Sequence, residues 1–264
     1  MTVGAREARS TRAQRGYGFA DKEAWRNEVW WHASRFSASA DRSAARVFLI
    51  ESLEGREIEK ALRLGFSELH VCNSNPAVVA TLKRRYPMIQ TYGVDAYRAL
   101  RRADSLGIAF DIISLDFCSC LSEKVFETLW AAAWASAYPA TFIVNVQRGR
   151  ENRDVTGIIR SESLEAPGGM FIHDAAREGL ERDQARPRAV HTALAVALEE
   201  RWTKLAPGPA WRSAFCWLAA TGVYKGKHVT MGWSVVRSDV RAAFGVIKRR
   251  GRWARSCAVR RRAE

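Results

Sequence analysis

The stretch Asp116-Phe117-Cys118-Ser119-Cys120 gathers a carboxylate, an aromatic ring and two thiols directly after the apolar run 110–115. Four readings fit these residue types. Asp116 can orient or deprotonate a substrate amine or hydroxyl, with Phe117 stacking on a base. Cys118 can act as a nucleophile. The Cys118-x-Cys120 pair can form half of a metal site, but no second pair and no nearby histidine completes a zinc tetrahedron, so no metal is expected. The segment can also be only a turn. We favour the acceptor role of Asp116.

These residues need a scaffold, and from residue 46 the sequence alternates in a way that supplies one. RVFLIES reads as a strand, and EGREIEKALRL as a helix stopped by Gly65. ELHVCNS is a second strand. Asn75 can cap the next helix with Pro76 at its first position, and that helix should pass through Val79, Leu82 and Tyr86 and end before Pro87. MIQTYGV, the helix DAYRALRRA and the strand FDIISLD follow. A helix from Ser122 to about Ala137, with Val125, Phe126, Leu129 and Trp130 apolar, leads to the fifth strand, ATFIVNV. Strands that alternate with helices imply an α/β fold, a mostly parallel sheet with helices on both faces. Near the C-terminus, two strand-like runs flank Lys225-Gly226-Lys227, the pattern of an antiparallel hairpin.

In open α/β sheets ligands bind beyond the carboxyl ends of the strands. Those ends read Glu51-Ser52-Leu53-Glu54-Gly55, Asn73-Ser74-Asn75-Pro76, Gly93-Val94-Asp95-Ala96, Asp116-Phe117-Cys118-Ser119 and Asn145-Val146-Gln147-Arg148-Gly149-Arg150. Taken with the hairpin, this series resembles the class I S-adenosylmethionine-dependent methyltransferases, which have a Rossmann-like fold. The resemblance covers about residues 46–150 and, more loosely, 211–238. It implies S-adenosylmethionine as cofactor, with Glu51 and Gly55 at its methionine end, Asn73 at the ribose, Asp95 and Ala96 at the adenine, and Asp116 at the methyl-transfer centre. Phe117 and Cys118 would belong to the catalytic loop. Members that methylate C5 of cytosine carry a nucleophilic cysteine here, preceded by proline; in this chain Phe117 precedes Cys118. The chain departs from the family pattern in three places. The first loop has one clear glycine where two or three are usual, Asn73 replaces a carboxylate, and the fourth-strand loop lacks prolines. Glu51 and Asp95 also have simpler uses, because each can cap the helix that follows it.

Charge suggests the partner. Forty-two Lys and Arg against 28 Asp and Glu give +14, and the segment 247–264 holds eight basic residues and one acidic. Such a surface attracts polyanions. Arg148 and Arg150, past the fifth strand, are candidates for phosphate contact, so a nucleic acid (RNA or DNA) is the expected substrate. The alternative is a non-catalytic nucleic-acid-binding protein on the same fold. A nicotinamide-dependent oxidoreductase would need a G-x-G-x-x-G turn that ESLEGRE does not supply.

Five cysteines without framework spacing suggest a reducing, cytoplasmic location. No apolar run approaches the ~20 residues a membrane helix needs. The expected organisation is a flexible basic arm (1–19), an N-terminal helix (20–45), a cofactor-binding core (46–150), a substrate-side insertion (151–210), a closing hairpin (211–246) and a basic tail (247–264). In the first helix, Trp25, Val29 and Phe36 should share a face, and Trp30 and Trp31 should pack on the domain.

Overall fold

The computed structural model describes residues 41–117, 119 and 121–147, the backbone of 215–224 and 228–237, and helical positions between 23 and 34 and between 190 and 201. The two outer segments, the hairpin turn and most of 148–210 lie outside the described residues, and with them Trp25, Phe36, Cys118, Cys120, Arg148 and Arg150.

Among the described residues, seven strands form one sheet in the order β3-β2-β1-β4-β5-β7-β6. The strands are β1 (Arg46–Ile50), β2 (Glu68–Cys72), β3 (Gln90–Tyr92), β4 (Phe110–Asp116), β5 (Ser136–Gln147), β6 (Phe215–Tyr224) and β7 (His228–Arg237). The first five pair in parallel, while β7 lies antiparallel between β5 and β6. The crossovers are α1 (Arg56–Arg63), α2 (Pro76–Arg85), α3 (Ala96–Ser105) and α4 (Glu123–Trp134). This is the mostly parallel, doubly covered sheet with a closing hairpin expected from the sequence.

Two apolar clusters line the faces. Val47, Leu49, Leu69, Val71 and Ile112 pack against α1, α2 and Val29, Trp30 and Ala33 of the N-terminal helix. Phe48, Cys72, Ile113, Leu115, Phe142 and Val144 pack against α3, α4 and Val190, Leu194, Ala197 and Leu198. Strand side chains alternate between faces, and β1 obeys this: Phe48 goes to one cluster, Val47 and Leu49 to the other. In β4 the alternation slips, with Phe110 and Ile113 on one face and Ile112 on the other, where the pairing with β5 shifts register between Phe110 and Ile112.

That slip corrects one boundary. The helix expected to reach about Ala137 ends at Trp134, and the fifth strand begins at Ser136 rather than 140. Phe110 pairs with Ser136 and Ile112 with Thr141, so Pro139 falls in the irregularity, where its missing N–H breaks no ladder. Arg201 closes the helix by donating to the Ala133 and Ser136 carbonyls, a tertiary cap invisible locally. Three smaller corrections concern faces. Val78 rather than Val79 is buried in α2, Trp130 is partly exposed, and Trp31 is 48% exposed while Trp30 is fully buried. Trp30 and Ala33, one turn apart, face the sheet; Trp31 is rotated away from them.

The N-caps follow local chemistry. Asn75 Oδ1 accepts from Ala77 N at 2.9 Å, Asp95 Oδ1 from Arg98 N at 3.0 Å, and Ser122 Oγ from Val125 N at 3.4 Å. No described helix is long and apolar enough to cross a membrane.

Phe48 sits at the centre of the sheet, fully buried, with its ring 5.3 Å from Phe110 and 6.4 Å from Tyr92 between centroids. Phe48→Ala should lower unfolding free energy by about 3–5 kcal/mol in denaturant titration. A loss under ~1 kcal/mol would contradict this packing.

Candidate functional site

The parallel register brings the carboxyl ends of β1, β2, β3 and β4 to one edge. Ile50 pairs with Cys72 and Cys72 with Tyr92. Asn73 then ties two ends together, donating from Nδ2 to the Glu51 carbonyl at 2.7 Å and accepting Asn75 N on Oδ1 at 2.8 Å. Asn73 is half-buried. Each of its polar atoms makes one bond within the chain, so by donor and acceptor count one N–H and one lone pair are left.

Glu51 is buried, and both carboxylate oxygens are already engaged. Oε1 accepts from Ser52 N at 2.8 Å, and Oε2 accepts from Glu57 N at 2.7 Å and Ile58 N at 3.1 Å. It therefore caps α1. The residue at the N-cap position is Gly55, which has no side chain to do so. Burial and the nearby Glu57 carboxylate push the Glu51 carboxyl up to about 7, against the opposing pull of the Ser52 and Ile58 amides and of Arg26.

Gly55 is required twice over. Its φ is 71°, in the left-handed region, and a Cβ there would stand 2.9 Å from Cε2 and Oη of Tyr86. Tyr86, at the end of α2, donates to Glu59 Oε1 at 3.0 Å, and its neighbour Arg85 donates to the Glu54 carbonyl at 2.8 Å. Leu53 packs partly into the apolar cluster on this face. The loop 52–55 is therefore pinned by side chains instead of being threaded through glycines.

A second anchor comes from the N-terminal helix. Arg26 Nε and Trp30 Nε1 each donate to a different oxygen of the buried Glu57 carboxylate, and Arg26 Nη1 donates to Glu23 at 2.6 Å. Burial opposes the charge on Arg26, but Glu57, then Glu23 and Asp116, outweigh it and hold its pKa above the ordinary value. Arg26 thus acts on the ends of both β1 and β4. Nothing in the sequence singled it out, because an arginine on an amphipathic helix normally faces water. The one local signal is that Arg26 and Trp30 stand four apart, on one helix face.

The remaining sites occupy the same edge. Asp95 caps α3, with Lys124 Nζ 3.5 Å from Oδ2. The Arg98 amide, opposed by burial and aided by Lys124, holds its carboxyl below the usual range. Ala96, first residue of α3, is buried. A Cβ on Gly93 would meet nothing within 4 Å, so the end of β3 is open. Asp116 is half-buried and accepts from Nδ2 of its cross-strand partner Asn145. The Asn145 carbonyl accepts from Phe117 N at 2.8 Å. The Phe117 ring packs against the core and is only partly exposed, which limits it as a stacking surface.

An adenosine-bearing cofactor fits these residues in part. Open space beside Gly93, a negative Asp95 and the remaining capacity of Asn73 suit a nucleoside, while Glu51 is too fully engaged to bind one directly. No protein-family model matches the chain, and no curated protein sequence does. Among the solved structures similar to it are S-adenosylmethionine-dependent methyltransferases. One is the S-adenosylmethionine-bound amino pentose methyltransferase CalS10 of Micromonospora echinaspora (20% identity, 55% of this chain on 56% of that one, TM-score 0.37). A second is the plantazolicin methyltransferase BpumL with S-adenosylhomocysteine and a desmethyl analogue (11%, 89% on 91%, TM-score 0.47). A third is a methyltransferase of Agrobacterium tumefaciens (10%, 78% on 60%, TM-score 0.46). This chain spans about half the length of CalS10. The likeness is one of fold.

Two outcomes are expected. A buried carboxyl raised to about 7 contributes stability that is complete below its unfolded pKa, about 4.3, and declines as pH rises through 7. Replacing Glu51 with Gln should therefore flatten the fall in unfolding free energy between pH ~5 and ~8, a fall on the order of 3 kcal/mol in the wild type. An unchanged slope would refute the assignment. Gly55→Ala should cost about 1–3 kcal/mol, part of it recovered in a Tyr86→Ala background and the rest retained as backbone strain.

Proposed function

We propose that this protein is an S-adenosylmethionine-dependent methyltransferase acting on a nucleic acid in the cytoplasm. The observation that carries the reading is the convergence at one sheet edge of the capped Glu51 loop, Asn73, the open Gly93 position, Asp95 and the Asn145-held Asp116. The donor, when bound, supplies an electrophilic methyl group.

The chain's own residues divide the remaining tasks. Asn73 offers a donor and an acceptor to a ribose, and Asp95 offers a carboxylate to an adenine amino group. The loop 52–55 closes the methionine end with backbone N–H groups and carbonyls. Asp116, held by Asn145, accepts a hydrogen bond or proton from the substrate amine or hydroxyl and sets its lone pair toward the donor.

The nucleic-acid part rests on charge. The net +14 and the eight basic residues in 247–264 support a polyanionic substrate. Arg148 and Arg150 are proposed phosphate contacts. Cysteine usage without a pairing framework supports the cytoplasm. One observation favours the second reading, a non-catalytic nucleic-acid binder: Glu51 is wholly engaged, and Asn73 partly, within the chain.

Calorimetry separates the two. The wild type should bind S-adenosylmethionine and S-adenosylhomocysteine at micromolar levels. Asp95→Ser, which can still cap α3, should bind about tenfold more weakly. Asp116→Asn should keep binding but lose about 10²–10⁴-fold in methyl transfer to total RNA or DNA. No heat at millimolar ligand, with salt-sensitive nucleic-acid binding intact, would replace the enzyme with the binder.

A further inference from the structure

The loop that would face the cofactor is anchored from outside the sheet. Arg26 and Trp30 occupy both oxygens of the Glu57 carboxylate, and the Glu57 amide donates to Glu51 Oε2 at 2.7 Å. Glu51 Oε1 in turn receives Ser52 N at 2.8 Å, where the loop begins, and Gly55 N closes the loop on the Ser52 carbonyl at 3.2 Å. An unbroken chain of bonds thus runs from the N-terminal helix into 52–55. All the intermediate groups are buried: Arg26 is 8% exposed, Glu57 7% and Glu51 4%.

We infer that Arg26, through Glu57 and Glu51, is a positioning residue for the loop 52–55, so that the N-terminal helix helps set cofactor affinity. The inference rests on the methyltransferase reading of this edge. Three physical points carry it. First, Arg26 is the shared cation of the cluster: Glu57, Glu23 and Asp116 act on its charge, and it acts on Glu51. Lys60, also on this face, lies 3.6 Å from Glu23. Second, the buried carboxylates on either side of the loop, Glu51 and Glu57, repel each other, and the guanidinium offsets part of that repulsion. Third, a loop carrying Leu53 and Glu54 in place of glycines has side chains that must be held aside, and preorganisation of that kind appears as affinity. Tyr86 and Arg85 hold the loop from the α2 side; Arg26 and Trp30 hold it from the other.

The test uses the full chain and S-adenosylhomocysteine as probe. Arg26→Gln should weaken binding about tenfold, and Arg26→Lys should restore part of the loss. Carboxyl carbon NMR without ligand should show the Glu51 titration, about 7 in the wild type, moving to higher pH in Arg26→Gln, because a cation has been removed from beside it. Among the described residues, the titratable groups that act on Glu51 are Glu57, Arg26 and Tyr86, and Arg26→Gln leaves Glu57 and Tyr86 unaltered.

Breaking one side of a buried pair can unfold a protein, so a double variant, Arg26→Met with Glu57→Gln, removes both charges and leaves an amide oxygen to accept from Trp30 Nε1. It should fold and still bind S-adenosylhomocysteine more weakly than the wild type, since the Arg26 tether is gone. Wild-type affinity in the folded double variant, or an unmoved Glu51 titration in Arg26→Gln, would overturn the positioning role alone. A wild type that binds no S-adenosylhomocysteine, with Glu51 still titrating as expected, would overturn the methyltransferase reading and this inference with it.

Discussion

The arrangement depends on the placement of one carboxylate. A parallel sheet covered on both faces leaves the strand ends as the place where polar groups can gather. At the end of β1, Glu51 takes up the amides that α1 leaves unpaired, because Gly55 provides the turn but no cap. Burial and the neighbouring Glu57 both disfavour that carboxylate, and Arg26, on the helix that precedes β1 in the chain, offsets part of the cost. Fold and site therefore share one electrostatic problem, which the N-terminal helix eases in part, since the Glu51 carboxyl is still pushed up to about 7.

The same economy of bonds shapes the rest of the edge. Asn73 bridges two strand ends, Asp95 caps α3, and Asn145 orients Asp116 across the β4–β5 pair. The residues that resemble ligand contacts are thus also structural, and the two uses differ in what remains unbonded. Asn73 retains part of its capacity, whereas Glu51 retains almost none. A side chain bonded on one side is held in a fixed direction on the other, which is what recognition of a ribose or an amine requires.

Much of the scaffold was legible because its signals are local. The Asn75-Pro76 start, the Gly65 stop and the apolar run of β4 are each decided within a few residues, and all three stand as read. The α4–β5 boundary was not legible. It is set by Arg201, some 65 residues downstream, and by a register slip opposite Phe110, and neither leaves a mark near residue 135. In the site, the positions of Glu51, Gly55, Asn73, Asp95 and Asp116 followed from where strands end. Their partners did not, because Arg26, Trp30, Tyr86 and Asn145 reach them through tertiary packing. Arginine on a helix, tyrosine at a helix end and asparagine in a strand are ordinary in sequence and become informative only in three dimensions.

The strand order also carries a consequence for how the chain comes to be folded. β5 lies beside β4 on one edge and waits for β7 on the other, and β7 begins at His228, far along the chain from Gln147. During synthesis the parallel part of the sheet can form while β5, with its apolar 140–146 run, is still an unpaired border. Long-range pairing of this kind is slow, and an open apolar border invites association with other chains. The C-terminal hairpin is therefore the piece that seals the sheet, and truncations or delays before residue 228 should expose the protein to aggregation even where every contact around Glu51 is already in place.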